Sequence, residues 1–192
     1  MEPSWESIVD EKRARQLAAI PPAWRLPEPV RTSSQSLLEI IRSCGILTSE
    51  ELQWTEVMDI SELVSLVASR KVSSVQLTTA FCKRAAIAQQ LSKCLTEIFF
   101  DQALVQAQNL DEHLEKTGTV VGPLHGVPVS VKDRFDIKGL DTTFGIVLSS
   151  WEVVKIRIGA DRDQDGWDWS TVQQESPARL CSCWSPWGLF FT

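Results

Sequence analysis

The chain has 192 residues, 43% of them apolar, which suffices for one domain with a sizeable core. Its 25 acidic and 19 basic side chains leave a net charge of −6, which argues against a nucleic-acid or anionic-membrane surface. No run of about 18 apolar residues occurs, so no membrane span is implied, and the opening Met-Glu-Pro-Ser-Trp-Glu lacks a secretory leader pattern. Five cysteines, an odd number without paired spacing, read as reduced thiols and point to a cytoplasmic protein. With two histidines and no Cys-x-x-Cys, neither a metal site nor a cofactor is expected.

Residues 4–20 read as an amphipathic helix. Ser4 can cap it, Glu6, Asp10 and Glu11 come early, Lys12, Arg13 and Arg15 follow, and Ile8, Val9 and Leu17 supply a modest apolar stripe. Pro21-Pro22 stops it, and three prolines between Ile20 and Pro27 suggest an extended linker. Four helix starts follow: Ser36-x-x-Glu39, Thr48-x-x-Glu51, Asp59-x-x-Glu62 and Ser73-x-x-Gln76 each have capping-box spacing before apolar periodicity. Leu63, Val64, Leu66 and Val67 would face inward from the third. In the fourth, Leu77, Phe81, Ala85, Ala88 and Leu91 are the candidate core.

Leu95–Phe100 is β-branched and aromatic and reads as a strand, with Asp101 as cap of the next helix. Leu104, Ala107, Leu110 and Leu114 share one face of that helix, and Gly118 ends it. Gly122-Pro123 and Gly126 then mark a turn. Val127, Val129 and Val131 alternate with Pro128, Ser130 and Lys132, which is a strand's period and places Ser130 and Lys132 on one face. That face is either solvated or holds the lysine in partly apolar surroundings. In the second case desolvation favours the neutral amine, which can act as a base. Asp133 and Asp136 could also pair with this lysine, although alternation puts Asp133 on the opposite face.

The run Gly122-Pro123-Leu124-His125-Gly126-Val127-Pro128, then Ser130-Val131-Lys132-Asp133, then Gly139-Leu140-Asp141-Thr142-Thr143, resembles the start of the core signature of the amidase signature family. These serine hydrolases include fungal acetamidases and fatty acid amide hydrolase. The segment Ile20–Pro27 also resembles the N-terminal arm of fungal amidases. The resemblance implies an α/β/α fold, of which this chain would hold the helical N-terminal half and the first sheet strands, incompletely. It also implies hydrolysis of a carboxylic amide by a Ser–Ser–Lys triad, with Lys132 at the position of the catalytic base. The family's serines lie in a Gly-Gly-Ser-Ser-Gly-Gly type segment and just before it, and nothing after Lys132 has that form.

The expected organisation is therefore an amidase part over 1–145 and a divergent tail over 146–192. The tail holds five of the eight tryptophans and two of the five cysteines, with a short strand-like Val153–Ile158. It reads as an aberrant continuation of a longer amidase gene. Asp161-x-Asp163-x-Asp165-Gly166 matches half of a calcium loop, but Val172 replaces the bidentate glutamate, so a solvated acidic loop is expected. Ser149-Ser150 lacks the flanking glycines of an oxyanion hole and is not expected to be a nucleophile. No Gly-x-Ser-x-Gly elbow exists to pair with His113 or His125. His113 is expected to face solvent and His125 to sit in the turn with a backbone partner.

The expectation is an inactive amidase fragment whose full-length relatives take a small amide substrate. The alternative is a non-catalytic helical interaction module, with homodimer contacts through the N-terminal arm.

Overall fold

A computed structural model describes residues 4–31, 34–133, Thr143 and the backbone of 187–191. Seven α-helices occupy most of the described residues: α1 Trp5–Ala18, α2 Glu28–Arg31, α3 Leu37–Ser43, α4 Ser49–Leu52, α5 Ile60–Ala68, α6 Ser74–Ser92 and α7 Phe100–Thr117. A strand β1, Val129–Lys132, follows and pairs antiparallel with β2, Trp187–Phe191. Among the described residues no helix is long and apolar enough to cross a membrane.

All four capping boxes form. Ser36, Thr48, Asp59 and Ser73 each accept from the backbone of the third helical residue, whose side chain answers to the cap's own N–H. Two orphan donors are satisfied at each helix start, which is why these boundaries follow the sequence pattern closely. Gly45 and Gly118, at φ +74° and +72°, turn the chain out of α3 and α7 in the left-handed region. The four-residue α4 runs on into a π turn over Gln53–Val57, which the capping pattern does not foretell.

The core consists of three adjoining clusters, and α6 contributes to each. Cys82, Ala85 and Ala86 pack with Ile20, Leu95 and Phe100. Ile87 packs with Leu26, Ile40, Ile41 and Leu47, and Leu77 packs with Leu63, Val67, Val72 and Val127. A helix buried on several sides carries more than one stripe, so the single-face reading undercounts it. Ala80, Cys82, Ala86 and Ile87 are fully buried, whereas Phe81, Ala88 and Leu91 are only partly so.

Three expectations are corrected. Leu95–Phe100 is not a strand. Lys93 leaves α6 in the left-handed conformation, and the next backbone groups find side chains instead of a neighbouring strand. Leu95 N–H donates to Gln89 Oε1 at 2.6 Å, while Gln16 Nε2 donates to the Leu95 and Thr96 carbonyls at 3.1 and 2.9 Å. Asp101 does not cap α7. The cap position is Phe99, and Asp101 lies in the first turn, where a carboxylate suits the positive end of the helix.

The proline segment is not a linker either. It makes a 3₁₀ turn over Pro22–Trp24, buries Ile20 and Leu26, and is tied to α6. Leu26 N–H donates to Gln90 Oε1 at 2.8 Å, and Gln90 Nε2 donates to Trp24 O at 2.9 Å. Helix α1 behind it buries Ile8 but leaves Leu17 half exposed, and an ion pair from Lys12 to Glu97 helps to hold it.

Gln90→Leu keeps the side-chain volume but strips partners from Leu26 N–H and Trp24 O. Urea unfolding should show a loss of about 1–3 kcal/mol, the usual cost of leaving such groups unsatisfied. A midpoint equal to that of the unaltered chain would show that the segment is held by apolar contact alone.

Candidate active site

The N-terminus of α6 is where the signature stretch is anchored. Ser73 Oγ accepts from Gln76 N–H at 3.0 Å. The next two amides, of Ser74 and Val75, donate to the Asp111 carboxylate at 2.6 and 3.0 Å. Asp111 belongs to α7, so a single side chain both caps α6 and locks the two long helices together. The chain leaving α7 at Gly118 must therefore start its return beside the N-terminus of α6.

It returns as a double turn. His125 N–H donates to Gly122 O at 3.2 Å and Val127 N–H to Leu124 O at 3.0 Å. Gly126 sits at φ +75°, and a Cβ there would lie 2.3 Å from Ser74 Oγ and 2.9 Å from Val67 Cγ1. The glycine is required on two counts, conformation and contact. Val127 and Pro128 are buried next, with Val127 among Leu63, Val67, Val72 and Leu77. The strand carrying Lys132 thus starts from a fixed point.

His125 is buried at 3% exposure, and its Nδ1 accepts from Val121 N–H at 3.2 Å. Its backbone partner is as the sequence suggests. Burial above all, with help from His113, holds its pKa below the ordinary histidine value, while Asp111 pulls the other way. His113 is half-buried, not fully solvent-facing.

Lys132 ends β1 and is half-buried, with its backbone opposite Trp187, while Ser130 is exposed and opposite Phe190. From Ser130 to Lys132 the ladder is irregular, because β1 advances by two residues where β2 advances by three. Asp133 is buried and accepts from Thr143, from its N–H at 3.1 Å and from its hydroxyl at 2.5 Å. That carboxylate therefore joins the end of β1 to Thr143. Asp136, Ser149, Ser150, Val153–Ile158 and the acidic stretch 161–166 lie outside the described residues. Two surface depressions, one lined by Met58 to Leu66 and one by Trp24, Gly45 and Lys83, include neither His125 nor Lys132.

The residues that reading by pattern missed are Asp111, Ser74 and Thr143. Asp111 carried a signal: it falls on the buried stripe of α7, four residues after Ala107 and three before Leu114. A carboxylate there needs donors, and the nearby start of α6 provides them. The Asp133–Thr143 pair joins two segments of the same signature across a gap that spacing alone cannot bridge.

Gly126→Ala should destabilise the fold by about 3 kcal/mol, from the left-handed backbone and the overlap with Ser74 together. Chemical denaturation checks this, and a loss below about 1 kcal/mol would show that the turn can lift off α6 without consequence.

A family model described as Amidase matches residues 76–153, which include Gly126, Lys132 and Asp133. An amidase of Gibberella moniliformis is 43% identical over 151 residues, covering 76% of this chain and 28% of that protein. An acetamidase of Emericella nidulans is 44% identical over 151 residues, covering 79% of this chain and 27% of that protein. Among solved structures, a fatty acid amide hydrolase superposes with a TM-score of 0.66 at 29% identity, over 78% of this chain and 27% of that one. The chain spans less than a third of the length of these relatives. Over the residues they match, the chain is similar to the N-terminal part of the amidase family.

Proposed function

We propose that this chain carries the base-bearing part of an amidase that hydrolyses a carboxylic amide to an acid and ammonia or an amine. The observation that supports it is the similarity to the Emericella acetamidase at 44% identity, taken with a family match that runs through Lys132. In this reading Lys132, as the neutral amine, takes a proton from a bridging serine, which in turn deprotonates the nucleophilic serine. The nucleophile attacks the amide carbonyl, backbone N–H groups hold the oxyanion, and water later releases the acid from the acyl-enzyme. The strand position of Lys132 on a docked turn suits a group that must be held still while it exchanges a proton.

The 192 residues include no Gly-Gly-Ser-Ser-Gly-Gly segment. By themselves they would have a base with no nucleophile to activate, so we propose that they turn over no amide unaided. The free thiols of Cys44, Cys82 and Cys94 accord with a reducing, cytoplasmic setting. Burial pushes the Cys82 thiol up to about 12, which makes it inert packing.

The test is a graft. Residues 1–145 replace the matching segment of the Emericella acetamidase, and acetamide hydrolysis is followed. The graft should be active, and Lys132→Ala within it should lower kcat by at least about 10²-fold, the span of a lost general base. Lys132→Arg should not rescue it, because a guanidinium stays charged. An active graft indifferent to Lys132→Ala would remove the base assignment. Amide turnover by the isolated 192 residues would overturn the claim that they are inactive alone.

A further inference from the structure

The turn that leads into β1 is built around an imidazole with one permitted protonation state, and we infer that His125 is an acid-sensitive latch whose protonation releases this turn from α6. The inference concerns the turn and does not rest on amide chemistry. Nδ1 accepts from Val121 N–H at 3.2 Å, so it must present its lone pair, and the proton of the neutral ring sits on Nε2. A second proton can go only to Nδ1. It would set one N–H against another, replacing a hydrogen bond by a repulsion.

The surroundings offer the cation little. The ring is 3% exposed, so water cannot hydrate it in place. Nε2 is buried, with no acceptor among the described residues. Among the described residues, the titratable groups acting on the ring are Asp111 and His113, both of α7. Both Asp111 oxygens are already engaged by the Ser74 and Val75 amides, and His113 opposes a second positive charge. The adjoining Gly126 packs on Ser74 at the positive end of α6, and the Ser74 hydroxyl is buried with no partner among the described residues.

Gly126 seats the turn closely on α6, since even a Cβ there would overlap Ser74 and Val67. The sign follows from the direction of the shift. A histidine held below its ordinary value is neutral when folded, so its contribution is fully present above about pH 6.5 and is lost as pH falls through the lowered value.

Nitrogen NMR of the 192-residue chain with labelled histidine reads the tautomer and midpoint directly. The Nε2–H form at pH 7.5 and a midpoint below that of a free histidine are expected. The Val121 amide, corrected for its intrinsic exchange, should lose protection several-fold between pH 7.5 and pH 5, because the imidazolium is accommodated only when the turn lifts. In His125→Asn, whose Oδ1 can accept from Val121 without titrating, protection should stay level. His113→Gln should leave the acid loss in place. An Nδ1–H tautomer, a midpoint above about 6.5, or a level Val121 profile in the unaltered chain would overturn the latch. So would an acid loss of the same size in His125→Asn. Should His125→Asn fail to fold, the tautomer and the Val121 profile of the unaltered chain decide the matter.

Discussion

The first amides of α6 have no partner inside their own helix, and the way they are satisfied determines where the rest of the chain goes. Ser73 takes Gln76 N–H, and Asp111 of α7 takes those of Ser74 and Val75. A charged acceptor on two backbone donors at the positive end of a helix is stronger than a neutral cap and carries the macrodipole with it. The price of a half-buried carboxylate is met by both donors at once, and the pairing sets the register of α6 against α7. Gly126 then packs against the same Ser74 whose amide Asp111 holds. Helix pair, turn and strand are thus arranged around one capped helix end.

Such an arrangement asks α6 to be approached closely from many sides, and its composition allows it. Ala80, Cys82, Ala85 and Ala86 form a run of small buried residues, which lets the proline segment and α7 come near its axis. Leu77 and Ile87, each almost fully buried, fill the space at two levels where larger gaps open. Beside these apolar contacts, glutamines complete the seams. Gln89 and Gln90 join α6 to Leu95 and Leu26 through backbone bonds, and Gln89 also meets Gln16 of α1. An amide that donates and accepts can satisfy both kinds of backbone group at once, which suits segments too irregular to pair with themselves.

Local chemistry was the most legible layer of the sequence. A capping box is decided within four residues, so Ser36, Thr48, Asp59 and Ser73 could be read without knowing the fold. The same holds for Gly45 and Gly118. Leu95–Phe100 was misread because β-branched and aromatic content measures fitness for a half-buried pleated surface, and burial in an irregular segment selects similar side chains. What decided its structure was Gln89 and Gln16, one of them about eighty residues away in the chain. The proline segment failed in the same manner: its prolines do forbid a long helix, yet Ile20, Trp24 and Leu26 carry enough apolar surface to be drawn into the core. The role of Asp111 was hidden for a related reason, since a stripe counts apolar positions and passes over the polar one among them.

The signature stretch combines two kinds of information that a motif match does not separate. Gly126 is demanded by a backbone angle and a contact, His125 by a backbone donor, and Asp133 by Thr143. These are folding requirements, and they would hold for any chain that returns beside α6 in this way. Lys132 is different. The strand would pair as well with another half-buried residue at that place, because the ladder is made by the backbone. In the proposed reading, most of the motif speaks to how the turn is built, and Lys132 speaks to the chemistry. Similarity through this stretch accordingly argues for the fold with many residues and for the reaction with one. A lysine's usefulness as a base further depends on the serines set against it, which the scaffold can position but cannot supply. In the proposed reading the match describes a mount for an amine, and such a mount would be necessary to the reaction without being sufficient for it.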